Sequence, residues 1–226
     1  MRCLVTGGAG FIGSNLARHL AHEGHEVVVA DTFVSSHWNT LKDFRGDVLT
    51  LADRLDIESI RDVVKRYGAF NVIFHQAALT GVIATDGSAS AGNDFNGFLR
   101  NNVEQFRQIL DLAVDTGARV VWASSCSVYG RNPAPMREDM KLDPLNVYAF
   151  SKVQKERLAK IYEDRLDQPI VGLRYSNVYG PGEDHKGKLA SMIHQLARQM
   201  REGKRPRIFK AGEQRRDFVY IEDVVS

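Results

Sequence analysis

The sequence predicts an α/β fold, a doubly wound parallel sheet with helices on both faces. Three observations carry this. Apolar runs of strand length alternate with longer helical patterns along the chain. The strands are apolar nearly throughout, as strands covered on both faces must be. A glycine-rich turn, "TGGAGFIGSN" (Thr6–Asn15), joins the first strand to the first helix.

The elements follow in order. Strands are expected at Arg2–Thr6, Glu26–Ala30, Asp47–Leu51, Asn71–His75, Arg119–Ser124 and Ile170–Tyr175. Helices are expected at Gly10–His22, Ile57–Tyr67, Phe98–Thr116, Val147–Asp167 and Leu189–Glu202. Val34–Gly46 and Leu79–Gly97 read as irregular, the second ("LTGVIATDGSASAGNDFNG") being rich in Gly, Ser and Asn. Gly180, Pro181, Gly182 and Gly187 argue against regular structure in "NVYGPGEDHKGKLAS" (Asn177–Ser191). After Gly203, "RPRIFKAGEQRRDFVYIEDVVS" reads as two short strands and a helix opening at Glu222. The chain stops at Ser226 inside that helix, so it reads as a longer protein cut short. Residues 1–176 are expected to form a dinucleotide-binding domain, and 177–226 a small, truncated C-terminal substrate-binding part.

Bulk composition excludes several function classes. The 226 residues are 43% hydrophobic and 26% charged, an ordinary globular balance. A net charge of +2 with no long basic run argues against nucleic acid as a partner. No span of ~20 apolar residues points to a membrane. Cys3 and Cys126 lie far apart, with neither metal nor disulfide spacing. A reducing cytoplasm is the expected compartment.

The glycine turn contains both Gly8-x-Gly10-x-x-Gly13 and Gly7-x-x-Gly10-x-x-Gly13. Glycines there permit a tight turn, close approach to a pyrophosphate and close helix–strand packing. The helix start adds free N–H groups and a positive dipole end. "EVVVAD" ends at Asp31, 18 residues after Gly13, where a carboxylate can accept bonds from ribose hydroxyls. These features make the sheet Rossmann-type, with NAD or NADP as cofactor. Asp31 would repel a 2′-phosphate and so favours NAD, although Lys42 or Arg45 could reach one. Gly7, Gly10, Phe11, Ile12, Gly13, Asp31 and Thr32 are the first expected contacts. Asp56 and Ile57 follow the third strand near the adenine position. Gln76, Ala77 and Ala78 follow the fourth, where small side chains let a dinucleotide pass.

The fifth strand ends "WASSCSVYG", and "YAFSK" places Tyr148 and Lys152 at i, i+4 on one helix face. A phenol with pKa ~10 is a poor base at neutral pH. An adjacent lysine cation, with the positive nicotinamide, should lower that pKa, and Ser125 can hydrogen-bond the same substrate oxygen.

These motifs, in this order, resemble the extended short-chain dehydrogenase/reductase family of nucleotide-sugar epimerases and dehydratases. The matching stretches are "TGGAGFIG", "ASSCSVYG", "YAFSK", "RYSNVYGP" and "RRDFVYIEDV". The resemblance implies Ser125, Tyr148 and Lys152 as the catalytic set, with Asn102 and Lys152 supporting the cofactor. Val178 would line the nicotinamide side, and Asn177, Thr80 and Phe209 would meet a nucleotide-sugar substrate. Relatives also imply a homo-oligomer, at least a dimer, in which Phe98–Thr116 and Val147–Asp167 pair across a two-fold axis. "GEDHKGKLAS" and "PLNVYAFSK" resemble the ADP-glyceromanno-heptose 6-epimerase branch. That likeness implies Lys186 as a second catalytic base. Its pKa would be lowered by Lys152, His185, Lys188 or desolvation. Lys188 and Gln195 fall on substrate-contacting positions where the branch has serine and histidine. Arg216 would bind the sugar-nucleotide phosphates. UDP-sugar 4-epimerases and UDP-glucuronate decarboxylases are the alternatives within the family. A non-catalytic dinucleotide sensor is the alternative of another class, although sensors typically lose the Tyr or Lys kept here. "SCSVYG" carries no carboxylate for β-elimination, which disfavours a dehydratase.

Overall fold

The computed structural model describes residues 1–51, 57–80, 95–208 and 211–226. Six strands form one parallel sheet: β1 (Arg2–Thr6), β2 (Glu26–Asp31), β3 (Asp47–Thr50), β4 (Val72–His75), β5 (Arg119–Ala123) and β6 (Ile170–Leu173). Their order is β3-β2-β1-β4-β5-β6. The chain winds outward from β1 one way and from β4 the other. The winding therefore reverses between β1 and β4, which opens a crevice beyond their carboxyl ends.

Alternation along the strands loads both faces. Cys3, Val5, Val27, Val29 and Val72 pack with Leu16, Ala17 and Leu20 of α1 (Phe11–His22). Leu4, Val28, Ile73, Val120 and Trp122 face the other way. They pack against Ile60 and Val63 of α2 (Ile57–Tyr67) and Phe106, Ile109 and Leu110 of α4 (Gln105–Thr116). Ala159 and Tyr162 of α5 (Val147–Tyr162) close that layer. Gly117, in the left-handed region at φ 69, ends α4 by returning its N–H to Ala113 O. No described helix is long and apolar enough to cross a membrane.

Several expected elements differ. The helix expected at Phe98–Thr116 starts earlier and changes pitch: α3 (Phe95–Phe98), a π segment (Leu99–Glu104), then α4. The segment between β2 and β3 is not wholly irregular, since Trp38–Leu41 forms a 3₁₀ turn. Asn177–Ser191 is also more ordered than its glycines suggest. It contains β7 (Asn177–Tyr179) and a 3₁₀ segment (Asp184–Leu189), with Gly187 at φ 53 supplying the kink between its turns. α6 spans Met192–Arg201 because Ser191 caps it, accepting from His194 N–H. After Gly203, only one of the two expected strands forms among the described residues: β8 (Phe218–Tyr220), parallel to β7. α7 (Ile221–Val225) follows at once.

Candidate active site

One cavity of about 810 Å³ lies at the carboxyl edge of β1, β2, β4 and β5. It is built first on the glycine turn. Gly7 sits at φ 68, and a Cβ there would lie 2.6 Å from Ala77 N. A Cβ on Gly13 would lie 2.2 Å from Gly7 O, so only glycine lets α1 rise directly off β1. No side chain caps α1 at Gly10, and no acidic residue stands in its first turn. The helix start therefore faces the cavity with backbone N–H groups and an unopposed positive dipole end. Asp31, at the tip of β2, holds this turn. Its Oδ2 accepts from Ala9 N–H at 2.9 Å, and its Oδ1 from Phe33 N–H at 2.8 Å and Ser36 Oγ at 3.1 Å.

The catalytic candidates converge from other elements. Asn146 Oδ1 accepts from Ala149 N–H at 2.8 Å, which starts α5 there and puts Tyr148 in its first turn. Lys152, one turn on, is 1% exposed and donates to Ala123 O at 2.7 Å, fastening α5 to the end of β5. Its Nζ lies 5.4 Å from the Tyr148 ring centroid. Burial pushes Lys152 down to about 7. Burial also raises Tyr148 above its ordinary value, opposed by a hydrogen bond from Ser125. Burial and Ser125 set the direction for Tyr148, and the expected lowering by Lys152 does not enter. Lys186 enters from the 3₁₀ segment. Its Nζ lies 5.1 Å from the Phe11 ring centroid. Burial lowers its pKa, with Glu183 opposing.

Gly7, Gly10, Phe11, Ile12, Gly13, Asp31, Thr32, Gln76, Ala77, Ala78, Thr80, Ser125, Tyr148, Lys152, Asn177, Val178 and Lys186 all line the one cavity. Four expected residues do not. Asn102, in the π segment, is fully buried behind it. There it accepts from Leu79 N–H at 2.8 Å and donates to Leu79 O at 3.1 Å and Ser151 Oγ at 3.0 Å. It thus supports the wall after β4. Lys188 is exposed. Gln195 is turned back onto Lys188 O and Ala190 O. Arg216 is exposed and donates to Arg215 O. Lys42 and Arg45 are absent from the lining as well. Asp56, Phe209 and the Ile57 side chain lie outside the described residues.

The sequence reading missed Val34, Ser35 and Ser36 on the β2 side, and Tyr175, His185 and Met192 opposite them. Ser36 had a signal, since a hydroxyl five residues after a strand-end aspartate can bond it. Tyr175, pushed up to about 12 by burial, had none.

A family model described as the NAD dependent epimerase/dehydratase family matches residues 3–226. An ADP-L-glycero-D-manno-heptose-6-epimerase of Brachyspira hyodysenteriae is 39% identical over 230 residues, spanning 99% of this chain and 69% of the relative. The crystal structure of Helicobacter pylori ADP-L-glycero-D-manno-heptose-6-epimerase matches with a TM-score of 0.88 at 39% identity, over 99% of this chain and 69% of that one. The UDP-glucuronic acid 4-epimerase from Bacillus cereus, in complex with UDP-glucuronic acid and NAD, matches at 0.80 and 31% identity, over 100% and 71%.

Proposed function

The chain belongs to the NAD dependent epimerase/dehydratase family, and from that premise we propose that it is a nucleotide-sugar epimerase acting on an ADP-linked glyceromanno-heptose at carbon 6. The observation that carries this is that Tyr148 and Lys186, proton-handling groups from two different elements, line one cavity with the glycine turn. The relatives named for that activity support the choice of sugar.

The residues present fit a dinucleotide. The space a Cβ on Gly7 or Gly13 would fill is needed for the turn itself, and the uncapped start of α1 suits a pyrophosphate. Asp31 accepts protein bonds on both oxygens and retains lone pairs for ribose hydroxyls. We take the cofactor as NAD, since Asp31 repels a 2′-phosphate and neither Lys42 nor Arg45 reaches the cavity. When bound, NAD accepts a hydride from the sugar carbon and returns it to the opposite face. Tyr148, hydrogen-bonded to Ser125, exchanges a proton with the reacting sugar oxygen in one orientation, and Lys186 does so in the other. Lys152 fixes Tyr148 by fastening α5 to Ala123 O. Asn177 and Thr80 bound the sugar. Residues 1–176 form the dinucleotide-binding unit and 177–226 part of the substrate-binding region. The match to a UDP-glucuronic acid 4-epimerase supports UDP-linked sugars as the second reading. Screening ADP- and UDP-linked sugars for epimer interconversion decides between them. Turnover confined to UDP sugars overturns the heptose assignment.

The enzyme works as a homodimer in the cytoplasm. A groove lined by Phe95, Leu99, Val103, Phe150, Leu158 and Ile161 runs between α3, the π segment and α5, and Ile161 is 65% exposed. A second copy of the same groove would cover it isologously. Sedimentation of Ile161→Asp as a monomer, against a dimeric wild type, checks this. Both cysteines are free, as a reducing compartment keeps them.

A further inference from the structure

Glu183 is 1% exposed, a rare burial for a carboxylate. Three hydrogen bonds account for its burial. Its Oε1 accepts from Gly180 N–H at 3.0 Å and from Ser191 Oγ at 2.9 Å, and its Oε2 accepts from Ser191 N–H at 2.5 Å. Gly180 directly follows β7, and Ser191 is the N-cap of α6. One carboxylate therefore holds together the two ends of the excursion from residue 180 to residue 191. Its backbone oxygen also accepts from Lys186 N–H at 2.9 Å, so the same residue starts the turn that carries the lysine.

We propose that Glu183 is the positioning residue of this enzyme's second base: by tying Gly180 to Ser191 it holds Lys186 in the cavity, over Phe11. This rests on the reading of Lys186 as a proton-transferring group. Around Lys186 stand the Phe11 ring from α1 and His185 from its own loop. His185 in turn faces His37, edge-on from the β2–β3 connection, and Asp184. Burial, Lys186 and His37 together keep His185 below its ordinary value. Two opposing influences set the Lys186 amine: burial, the larger, lowers its pKa and the Glu183 charge raises it.

That opposition gives the test its sign. In Glu183→Gln an amide NH₂ meets backbone N–H donors, and the two ends separate. If Glu183 is a tether, Lys186 becomes solvated and its pKa rises towards an ordinary lysine. If Glu183 acts only by charge within an intact loop, the pKa falls. Acetylation of Lys186 followed by peptide mass across pH reads this directly and needs no substrate. The expected result is an upward shift in Glu183→Gln, partly reversed in Glu183→Asp, which keeps an acceptor but reaches less far. Epimer interconversion of ADP-L-glycero-D-manno-heptose should fall ~10- to 100-fold in the Gln variant, the cost of a misplaced group. Cofactor affinity and single-turnover reduction of bound cofactor should stay within about twofold of wild type. An unshifted or lowered Lys186 pKa overturns the tether. Equal loss of cofactor binding overturns it too, because a general structural role explains that loss. Lys186→Met run beside it separates the two claims. Wild-type interconversion in Lys186→Met sinks the second-base reading itself. A dead Lys186→Met beside an unimpaired Glu183→Gln sinks only Glu183.

Discussion

The two halves of the cavity are held by different physics. On one side, the glycine turn, Tyr148 and Lys152 stand on elements packed against the sheet, whose faces bury residues such as Val5, Ile73, Phe106 and Trp122 at 0–1% exposure. On the other, Lys186 rides on residues 177–191, and α6 beyond it contributes no buried residue. That side is held by β7–β8 pairing, by a small apolar cluster of Val178 and Ile221 on Phe11, by Glu183, and by a bond from Asn15 Nδ2 to Pro181 O at 3.1 Å. Core packing fixes a group through many small contacts, so no single one is decisive. Polar tethers fix a group through few, and each can be broken alone. The proposed roles thus put one proton-handling group on the large core and the other on a loop held by a small apolar cluster and the Glu183 tether.

The largest expected effect tests the packed half. Tyr148→Phe removes the phenol oxygen and leaves the ring, so α5 stays in place. Turnover should fall ~10²- to 10⁴-fold, the range for general acid–base groups. Cofactor affinity, measured by titration, should change little. Near-full turnover would detach Tyr148 from the chemistry.

Next comes the tethered half. Lys186→Met keeps the stem and removes the amine. Epimer interconversion should fall ~10²-fold or more, while single-turnover reduction of bound cofactor by one epimer persists. Equal loss of both would mean that the two halves do not divide the work. A third substitution acts at the seam. Asp31→Ala removes the acceptors for Ala9, Phe33 and Ser36 as well as the charge that opposes a 2′-phosphate. The ratio of NAD to NADP affinity should fall about tenfold, which is ~1.4 kcal/mol. An unchanged ratio would show that the cavity's preference lies elsewhere.

Legibility in the sequence follows the same division. β1, α2 and the glycine turn could be read because periodicity and local steric demands fix them within a few residues. Tyr148 and Lys152 could be read because i, i+4 spacing fixes a helix face whatever surrounds it. The role of Glu183 could not, because its partners, Gly180 and Ser191, face it only once the loop has closed. For the same reason β7 looked like a loop: its partner among the described residues, β8, is some forty residues away (Asn177 pairs with Phe218). The direction of the Tyr148 shift was also hidden. The spacing shows the neighbouring lysine but not the burial that raises the phenol.

An effect of comparable size concerns what the packed half costs. Lys152 is 1% exposed, and burial lowers its pKa to about 7 from 10.5. Between those values the unfolded chain binds a proton at this site that the folded chain has released. Stability therefore rises with pH across that window. Between pH 7 and 8.5 the gain is about 1.5 kcal/mol, from a site half protonated at the lower pH and nearly neutral at the upper. Lys152→Met cancels this term and keeps the volume. Lys155 and His75 are buried beside it, and both are pushed well below their ordinary values by burial first, with Lys152 adding to the lowering of each. The difference between the two proteins therefore reads Lys152 together with its coupling to these two neighbours. Urea unfolding of both at pH 7 and 8.5 measures it. Wild type should gain about 1.5 kcal/mol more than Lys152→Met. Equal gains would mean that Lys152 keeps its charge when folded. The rigid half would then hold a cation beside Tyr148 throughout, and the phenol would be lowered after all.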